Sequence, residues 1–521
     1  MKKYFQSVGS DLPASIVVLL VALPLCLGIA LGSGAPLFSG IIAGIVGGIV
    51  IGVLSGSNLS VSGPAAGLTV IVAAGILKLQ VFEAFLLAVV IAGALQVALG
   101  FAKAGVIGDY IPNSVIKGML AAIGLILILK QFPHLVGYDA DFEGDETFLQ
   151  SDSNNTFSEI FQVTNYLTMA ATVIGLVSLL ILIAWERPMI KNNKILKLIP
   201  GPLVVVLAGV LINGYFLSSQ PDLALETKHL VSLPVAKDAS SFFSFFTLPN
   251  FSFIGNKDVW ITAFTLAIVA SLETLLGIEA VDKLDPFKRV TPTNRELKAQ
   301  GIGNIISGLL GGLPLTSVVV RSSANVSAGA KTKVSAILHG VFLLLFVVLI
   351  PTILNKIPLS ALAAVLIFTG YKLAKVSLFK EFYQKGWDQF VPFLITILAI
   401  LFTDLLIGIV TGILVGLFFS VRSNFRSAVM VVHDQNNYLI RLRKDVSFLN
   451  KPIIKAKLES VPENAFVLID TTRADFIDKD VIEEINNFLC HAHLKNIQVE
   501  LKKSQNKPMH NLIDEPKTLL A

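Results

Sequence analysis

Residues 60–67 read Ser60-Val61-Ser62-Gly63-Pro64-Ala65-Ala66-Gly67, and residues 313–317 read Leu313-Pro314-Leu315-Thr316-Ser317, with Arg321 following. Each stretch is a polar break of small residues, proline and hydroxyls, set before an apolar run too short to cross a bilayer. A helix that begins at such a break leaves its first N–H groups without intrahelical partners. The positive end of its dipole then points at whatever lies ahead of it. Two such starts at matched places in two halves of a chain mark a shared site between repeats. The surrounding sequence decides whether these breaks lie within a membrane.

It places them there. The 521-residue chain is 54% hydrophobic and only 15% charged, with a mean hydropathy of +0.74. Soluble domains carry about 25% charged residues. About fourteen apolar runs recur between about residues 12 and 421, and the short ones, at about 64–77 and 316–328, stand third and tenth. The expected fold is a polytopic α-helical membrane protein. The run from Asp11 to Leu31 lacks an Ala-x-Ala cleavage site and is followed by many like it, so it reads as a retained span. With Lys2 and Lys3 cytoplasmic, Arg187, Lys191, Lys194 and Lys197 are also inside. So are Lys283, Lys288, Arg289, Arg295 and Lys298, then Lys372, Lys375, Lys380 and Lys385. The acidic stretch 139–159, with Asp139, Asp141, Glu143, Asp145, Glu146, Asp152 and Glu159, is then outside. This bias requires an even number of spans and both termini inside. A seven-span half repeated once must be inverted, so the third and tenth runs are equivalent positions of a 7+7 inverted repeat.

Beyond the membrane part, 1–426, residues 427–435 read as a linker and 436–521 as a small α/β unit. Strands are expected at 437–445, 465–470 and 497–501, helices at 452–461 and 478–494, and a loosely ordered polar tail after them. Cys26 and Cys490 are the only cysteines, which excludes a disulfide framework and a cysteine-rich metal site. The basic residues lie in loops between spans, so the net charge of +5 does not point to nucleic acid. No phosphate-binding loop and no nucleophile–base constellation is present, so an enzyme has no support and no organic cofactor is implied.

Two facing helix starts make a small, positively biased cavity that suits a small anion. Ser62, Thr69, Thr316 and Ser317 add hydroxyl donors, while Gly63, Pro64, Ala65, Ala66 and Gly67 keep the backbone near a ligand. Arg321, within the second short run, adds positive charge. Glu273 lies well inside the eighth span, where a carboxyl group must be protonated, paired or cation-bound. A group whose charge is linked to the anion is what a symporter needs.

These motifs resemble the SulP family of inorganic anion transporters. The resemblance runs through the first three spans with Pro24 and Ser62-Gly63-Pro64. It continues in spans nine and ten with Arg321, Asn325 and Ala328-Gly329-Ala330-Lys331-Thr332. Residues 436–521 resemble a shortened STAS domain, through Leu468-Ile469-Asp470-Thr471-Thr472 and Phe476-Ile477-Asp478. The resemblance implies core and gate domains, elevator-type alternating access and a homodimer. It places the anion between spans three and ten, with Val318 and Val319 among its neighbours. Spans eight and one line the site through Glu273, Gly277, Pro24 and Leu25. Gly277 stands where sodium-coupled bicarbonate carriers have a hydroxyl, Val318 to Val320 replace hydroxyl residues, and Leu25 stands where many relatives have glutamine. These departures weaken a sodium site near Glu273, and protons are the favoured coupling ion.

The expected function is secondary active transport of sulfate or bicarbonate, coupled to H+ or Na+. The expected setting is a bacterial inner membrane, with lipid around the spans and a cytoplasmic regulator of the STAS-like unit. Thr471 or Thr472 would be its phosphorylation point. An anion channel, a sensor signalling through the tail and a nucleobase permease are the alternatives.

Overall fold

The computed structural model describes residues 7–139, 156, 167–191, 196, 199–236, 238–443, 445–504 and 506–515. The acidic run from Asp141 to Glu159 lies outside the described residues. The chain divides into two compact units, residues 1–413 and 414–521.

In the first unit, α1 is Val8–Gly32, α2 Leu37–Leu54, β1 Ser62–Pro64, α3 Thr69–Leu79, α4 Phe82–Phe101, α5 Asn113–Leu135, α6 Met169–Trp185 and α7 Gly201–Ser219. Then come α8 Lys257–Leu284, α9 Thr293–Leu310, β2 Leu315–Ser317, α10 Val319–Ser327, α11 Val334–Leu349, α12 Leu359–Leu373 and α13 Trp387–Phe402. The last helix, α14, is Leu405–Ala428; it begins in the first unit and continues into the second. Among the described residues, eight helices are long and apolar enough to cross a membrane. Apolar side chains run all round them, as expected where both core and lipid are apolar.

Packing sorts these helices into two groups. Helices α1 to α4 pack with α8 to α11, and α5 to α7 pack with α12 and α13. Each group has a crossing where glycines meet. A methyl on Gly93 of α4 would lie 2.6 Å from the Gly301 carbonyl of α9, and one on Gly124 of α5 would lie 2.6 Å from that of Gly370 of α12. Small residues at these points let backbones touch, the source of dispersion energy between helices in lipid.

The breaks differ from expectation in one respect. Instead of leading straight into helices, residues 62–64 and 315–317 form two short antiparallel strands that pair with each other. The helices start later, at Thr69 and Val319. The reason is backbone satisfaction: N–H and C=O groups at that depth have no water, and pairing gives each break its partners. Arg321 consequently sits in the first turn of α10.

The connection from α7 to α8, residues 220–256, straps across one face. Leu225 N–H donates to Asn213 Oδ1 of α7 at 3.0 Å. Val231 N–H donates to Ile357 O at 3.0 Å, and Leu233 and Asn355 exchange hydrogen bonds of 2.7 and 3.1 Å. Further along, Phe242, Phe245 and Phe246 surround Phe38 of α2, and Asn250 N–H donates to Glu83 O. The strap therefore begins on one helix group and ends on the other.

The second unit holds a four-stranded mixed sheet in the order β3 (Val429–Asp434), β4 (Asn437–Leu442), β5 (Phe466–Asp470), β6 (Gln498–Lys502). The β3–β4 pair is antiparallel and the other two are parallel. Helices α15 (Lys451–Glu459) and α16 (Lys479–His491) supply apolar side chains, Ile454 and Leu458 from one and Val481, Ile482, Ile485 and Leu489 from the other, to its core. Two expectations are corrected here. The linker at 427–435 is largely strand β3, whose edge-on hydrogen bonds to β4 its short sequence does not announce. The polar tail is packed as far as 515: His510 is fully buried, bonds the Ala474 carbonyl through Nε2 at 2.9 Å, and Ile513 joins the core. Thr471 is fully buried with its hydroxyl donating to Lys502 O, and Thr472 Oγ1 donates to Asp470 Oδ1 at 2.7 Å. Burial closes Thr471 to a modifying enzyme.

Candidate functional site

The strand pair brings Ser62 opposite Ser317, Gly63 opposite Thr316 and Pro64 opposite Leu315. Val318 N–H continues the pairing to Val61 O at 3.0 Å, and the Ser60 and Ser317 hydroxyls meet at 2.7 Å. Side chains of α10 reach back across the junction. Ser322 Oγ accepts from Val61 N–H at 2.9 Å, and Asn325 Nδ2 donates to Leu59 O at 3.0 Å. The start of α10 has no side-chain cap, so its first N–H groups remain available ahead of the helix. The start of α3, after a 3-10 turn at Ala66–Leu68, is likewise without one.

Helix α9 holds both strands. Gln300 Nε2 donates to Ser62 Oγ at 2.6 Å and to Glu296 Oε1 at 3.0 Å, and Glu296 Oε2 accepts from Ser55 Oγ at 2.5 Å. One turn on, Asn304 grips the Leu315 backbone in both directions, at 2.7 and 3.1 Å, and donates to Gln96 Oε1 at 2.6 Å. Glu296, Gln300 and Asn304 are all buried. Sequence reading missed them. Their spacing of four along one helix face is a usable signal for polar residues that face inward together.

Between the strand pair and the second helix group lies a small cavity of about 30 Å³. Ala65, Ala66, Ser317, Val318, Val319 and Val320 line it from the breaks, Glu273, Leu276 and Gly277 from α8. Met119 and Ile123 of α5 and Leu405 of α14 close the far side. A volume of this order holds a water-sized guest, so a larger anion enters only if the walls part. Glu273 is its one ionisable side chain. Of the predicted residues, Ala65, Ala66, Ser317, Val318, Val319, Glu273 and Gly277 meet at this cavity.

The others stand behind it. Ser62, Gly63, Pro64 and Thr316 form the strand pair itself, and Thr69 and Thr316 have buried hydroxyls with no hydrogen-bond partner among the described residues. Leu25 of α1 belongs to the apolar cluster that includes Met119, Ile123, Leu276, Val319 and Val320, and Pro24 is buried in the same helix. Arg321 is fully buried behind β1, with Nη2 3.4 Å from the Pro64 carbonyl. Among the described residues it makes no ion pair. It does not line the cavity.

Two glycines are explained by charged neighbours, not by the ligand. A methyl on Gly63 would meet Arg321 Nη1 at 2.1 Å, and one on Gly67 would lie 2.7 Å from Glu273 Oε1. Gly277 answers to the strand: a methyl there would come within 2.4 Å of the Ser317 carbonyl. Changing Gly277 to alanine must therefore displace β2 or α8. Overpacking of this kind costs about 1–3 kcal/mol, so the Gly277→Ala protein is expected to melt several degrees lower than the native chain. Melting of the purified protein in detergent checks this, and an unchanged midpoint would mean that β2 is not held as close as the structure has it.

A profile of the sulfate permease family matches residues 8–396, three-quarters of the chain. The chain belongs to the sulfate permease family. Within that family it is 26% identical over 530 residues to YvdB of Bacillus subtilis, assigned as a sulfate transporter, covering 99% of this chain and 93% of that one. It is 27% identical over 376 residues to the bicarbonate transporter BicA of Synechocystis, covering 71% and 62% respectively. Its fold resembles the transmembrane domain of a cyanobacterium bicarbonate transporter BicA, with a TM-score of 0.54 at 20% identity over 79% of this chain and 98% of that one. It also resembles the murine Slc26a9 anion transporter in the inward-facing state, with a TM-score of 0.62 at 15% identity over 94% and 85%. Membership in this permease family makes the chain a multi-pass membrane protein of an anion transporter family, whose matched relatives are transporters and not enzymes.

Proposed function

We infer that this protein is a secondary active carrier of a small inorganic anion, sulfate or bicarbonate, and that Glu273 couples the anion to a proton. The observation that carries the reading is the convergence on one cavity of an uncapped helix start, the paired breaks and a single, half-buried glutamate. The anion would sit ahead of α10, held by its first N–H groups and Ser317, in the field of Arg321. A protonated Glu273 removes the negative charge that would repel it. Sodium is the weaker candidate, because Gly277 and Val318 to Val320 leave the cavity with few oxygen ligands beside Glu273 and Ser317.

The two helix groups supply the bodies for elevator-type movement, the first carrying the strand pair and the second its opposing wall. Basic loops put both termini and the sheet unit in the cytoplasm, and the setting is a bacterial inner membrane, with the protein as a homodimer. The sheet unit is the docking place for a regulator.

Uptake of radiolabelled sulfate and bicarbonate into proteoliposomes, under independently imposed proton and sodium gradients, tests the reading. Accumulation of one anion driven by the proton gradient is the expected result. Passive flux indifferent to both gradients would make the protein a channel or uniporter.

A further inference from the structure

At the end of α5, one buried carboxylate holds two imidazoles. Asp139 Oδ1 lies 2.6 Å from His134 Nδ1, and Oδ2 lies 2.5 Å from His229 Nδ1. The three side chains are 4–7% exposed. His134 belongs to the last turn of α5, and Asp139 lies just beyond it. His229 is on the strap, four residues after Leu225 is tied to α7 and two before Val231 is tied to Ile357. Nothing in the anion cavity uses this cluster.

We propose that His134, Asp139 and His229 form a proton-tuned clasp, which pins the start of the strap to the second helix group and tightens when that face is acidified. A neutral imidazole already donates through Nδ1–H, so the clasp exists with uncharged histidines, leaving one net negative charge buried. Protonating one imidazole cancels that charge and turns a neutral donor into a charged one, roughly doubling the strength of the hydrogen bond. Histidine is the side chain that makes this change between about pH 5 and 8.

The carboxylate stays ionised while this happens. Burial works to raise Asp139, but the hydrogen bonds from His134 and His229 and then their charges outweigh it, and its carboxyl titrates below the usual carboxylate range. A depressed carboxyl contributes stability above its unfolded value and loses it only as pH falls through the lower folded value. The gain on acidification therefore belongs to the imidazoles. Among the described residues, other charged groups on the surrounding elements include Lys130 on α5, Asp222, Glu226 and Lys228 on the strap, the last two pairing at 2.9 Å, and exposed Lys356 on the segment bonded to the strap. The acidic residues 141–159 are outside the described residues.

A tighter strap slows any movement of one helix group past the other, and this consequence alone rests on the carrier reading. The test of the clasp needs no transport. Hydrogen–deuterium exchange of the full chain in nanodiscs, corrected for the intrinsic pH dependence of exchange, is followed in peptides covering residues 225–233. Protection is expected to rise about fivefold from pH 7.5 to 5.5 in the native chain. The double change His134→Gln and His229→Gln keeps two neutral donors, so it should keep the protection seen at pH 7.5 and lose the acid gain. Asp139→Asn should lower protection at both pH values. A native strap whose protection is the same at both pH values, or a Gln variant that keeps the acid gain, would overturn the proposal.

Discussion

Glu273→Gln is expected to abolish gradient-driven accumulation while leaving exchange of anion for anion measurable. Glutamine has the volume and shape of a protonated glutamate, so the packing over Gly67 and the walls of a cavity of about 30 Å³ are kept. What it lacks is a second charge state. A carrier moves its anion uphill only if the loaded forms with and without the coupling ion differ in free energy, and at this site the carboxyl group is the one side chain able to supply that difference. Accumulation should fall to the passive level, about a hundredfold under a proton gradient of two pH units, while counterflow continues within about threefold. Parallel accumulation and counterflow assays in proteoliposomes check this. A glutamine variant that still concentrates the anion would remove Glu273 from the coupling step.

Arg321→Met should separate stability from binding in opposite directions. The guanidinium is fully buried, is 3.4 Å from one carbonyl and has no ion pair among the described residues. An ionic group in that condition costs several kcal/mol of desolvation, and methionine fills a similar elongated space without it. The variant is therefore expected to melt several degrees higher. Its anion affinity should fall about tenfold or more, because a neighbouring unit charge in a site of low dielectric contributes about 1–4 kcal/mol. Melting in detergent, with and without anion, reads both effects at once. Equal affinity in the two proteins would show that the strand pair and helix start bind the anion without help from Arg321.

The order of the spans, the two breaks and the inward position of Glu273 were legible because each has a local signature: hydropathy, proline and glycine clusters, and a lone acid in an apolar run. Apart from strand β3, which reads as a linker, the helices and strands of the second unit were legible for the same reason. The strand pair was not. Three residues of extended chain carry no periodicity of their own, and the partner of each lies in the other half of the sequence. Arg321 shows the same limit from another side. Its burial could be expected, but whether it faces the cavity or turns behind β1 depends on the room left by Gly63 and Gly44, which only the packed structure reveals. Met119, Ile123 and Leu405 line the cavity as apolar side chains that nothing in their local sequence sets apart, and Asp139 gave no sign in sequence of its two histidine partners, one of which is on the strap.

The pairing of the breaks also constrains how the protein is made. Ser60 and Ser317 lie 257 positions apart. When the first break enters the bilayer during synthesis, the strand that will satisfy its backbone has not yet been translated. At about 5–20 residues per second, the wait is roughly 13–50 seconds. For that interval the nascent first half holds unpaired peptide groups and a helix start facing nothing, which hydrocarbon does not tolerate. The first half must therefore linger beside the insertion machinery, keep water around the break, or lean on a membrane chaperone until the second break emerges. A slow step in biogenesis is built into a site that neither half of the chain owns alone.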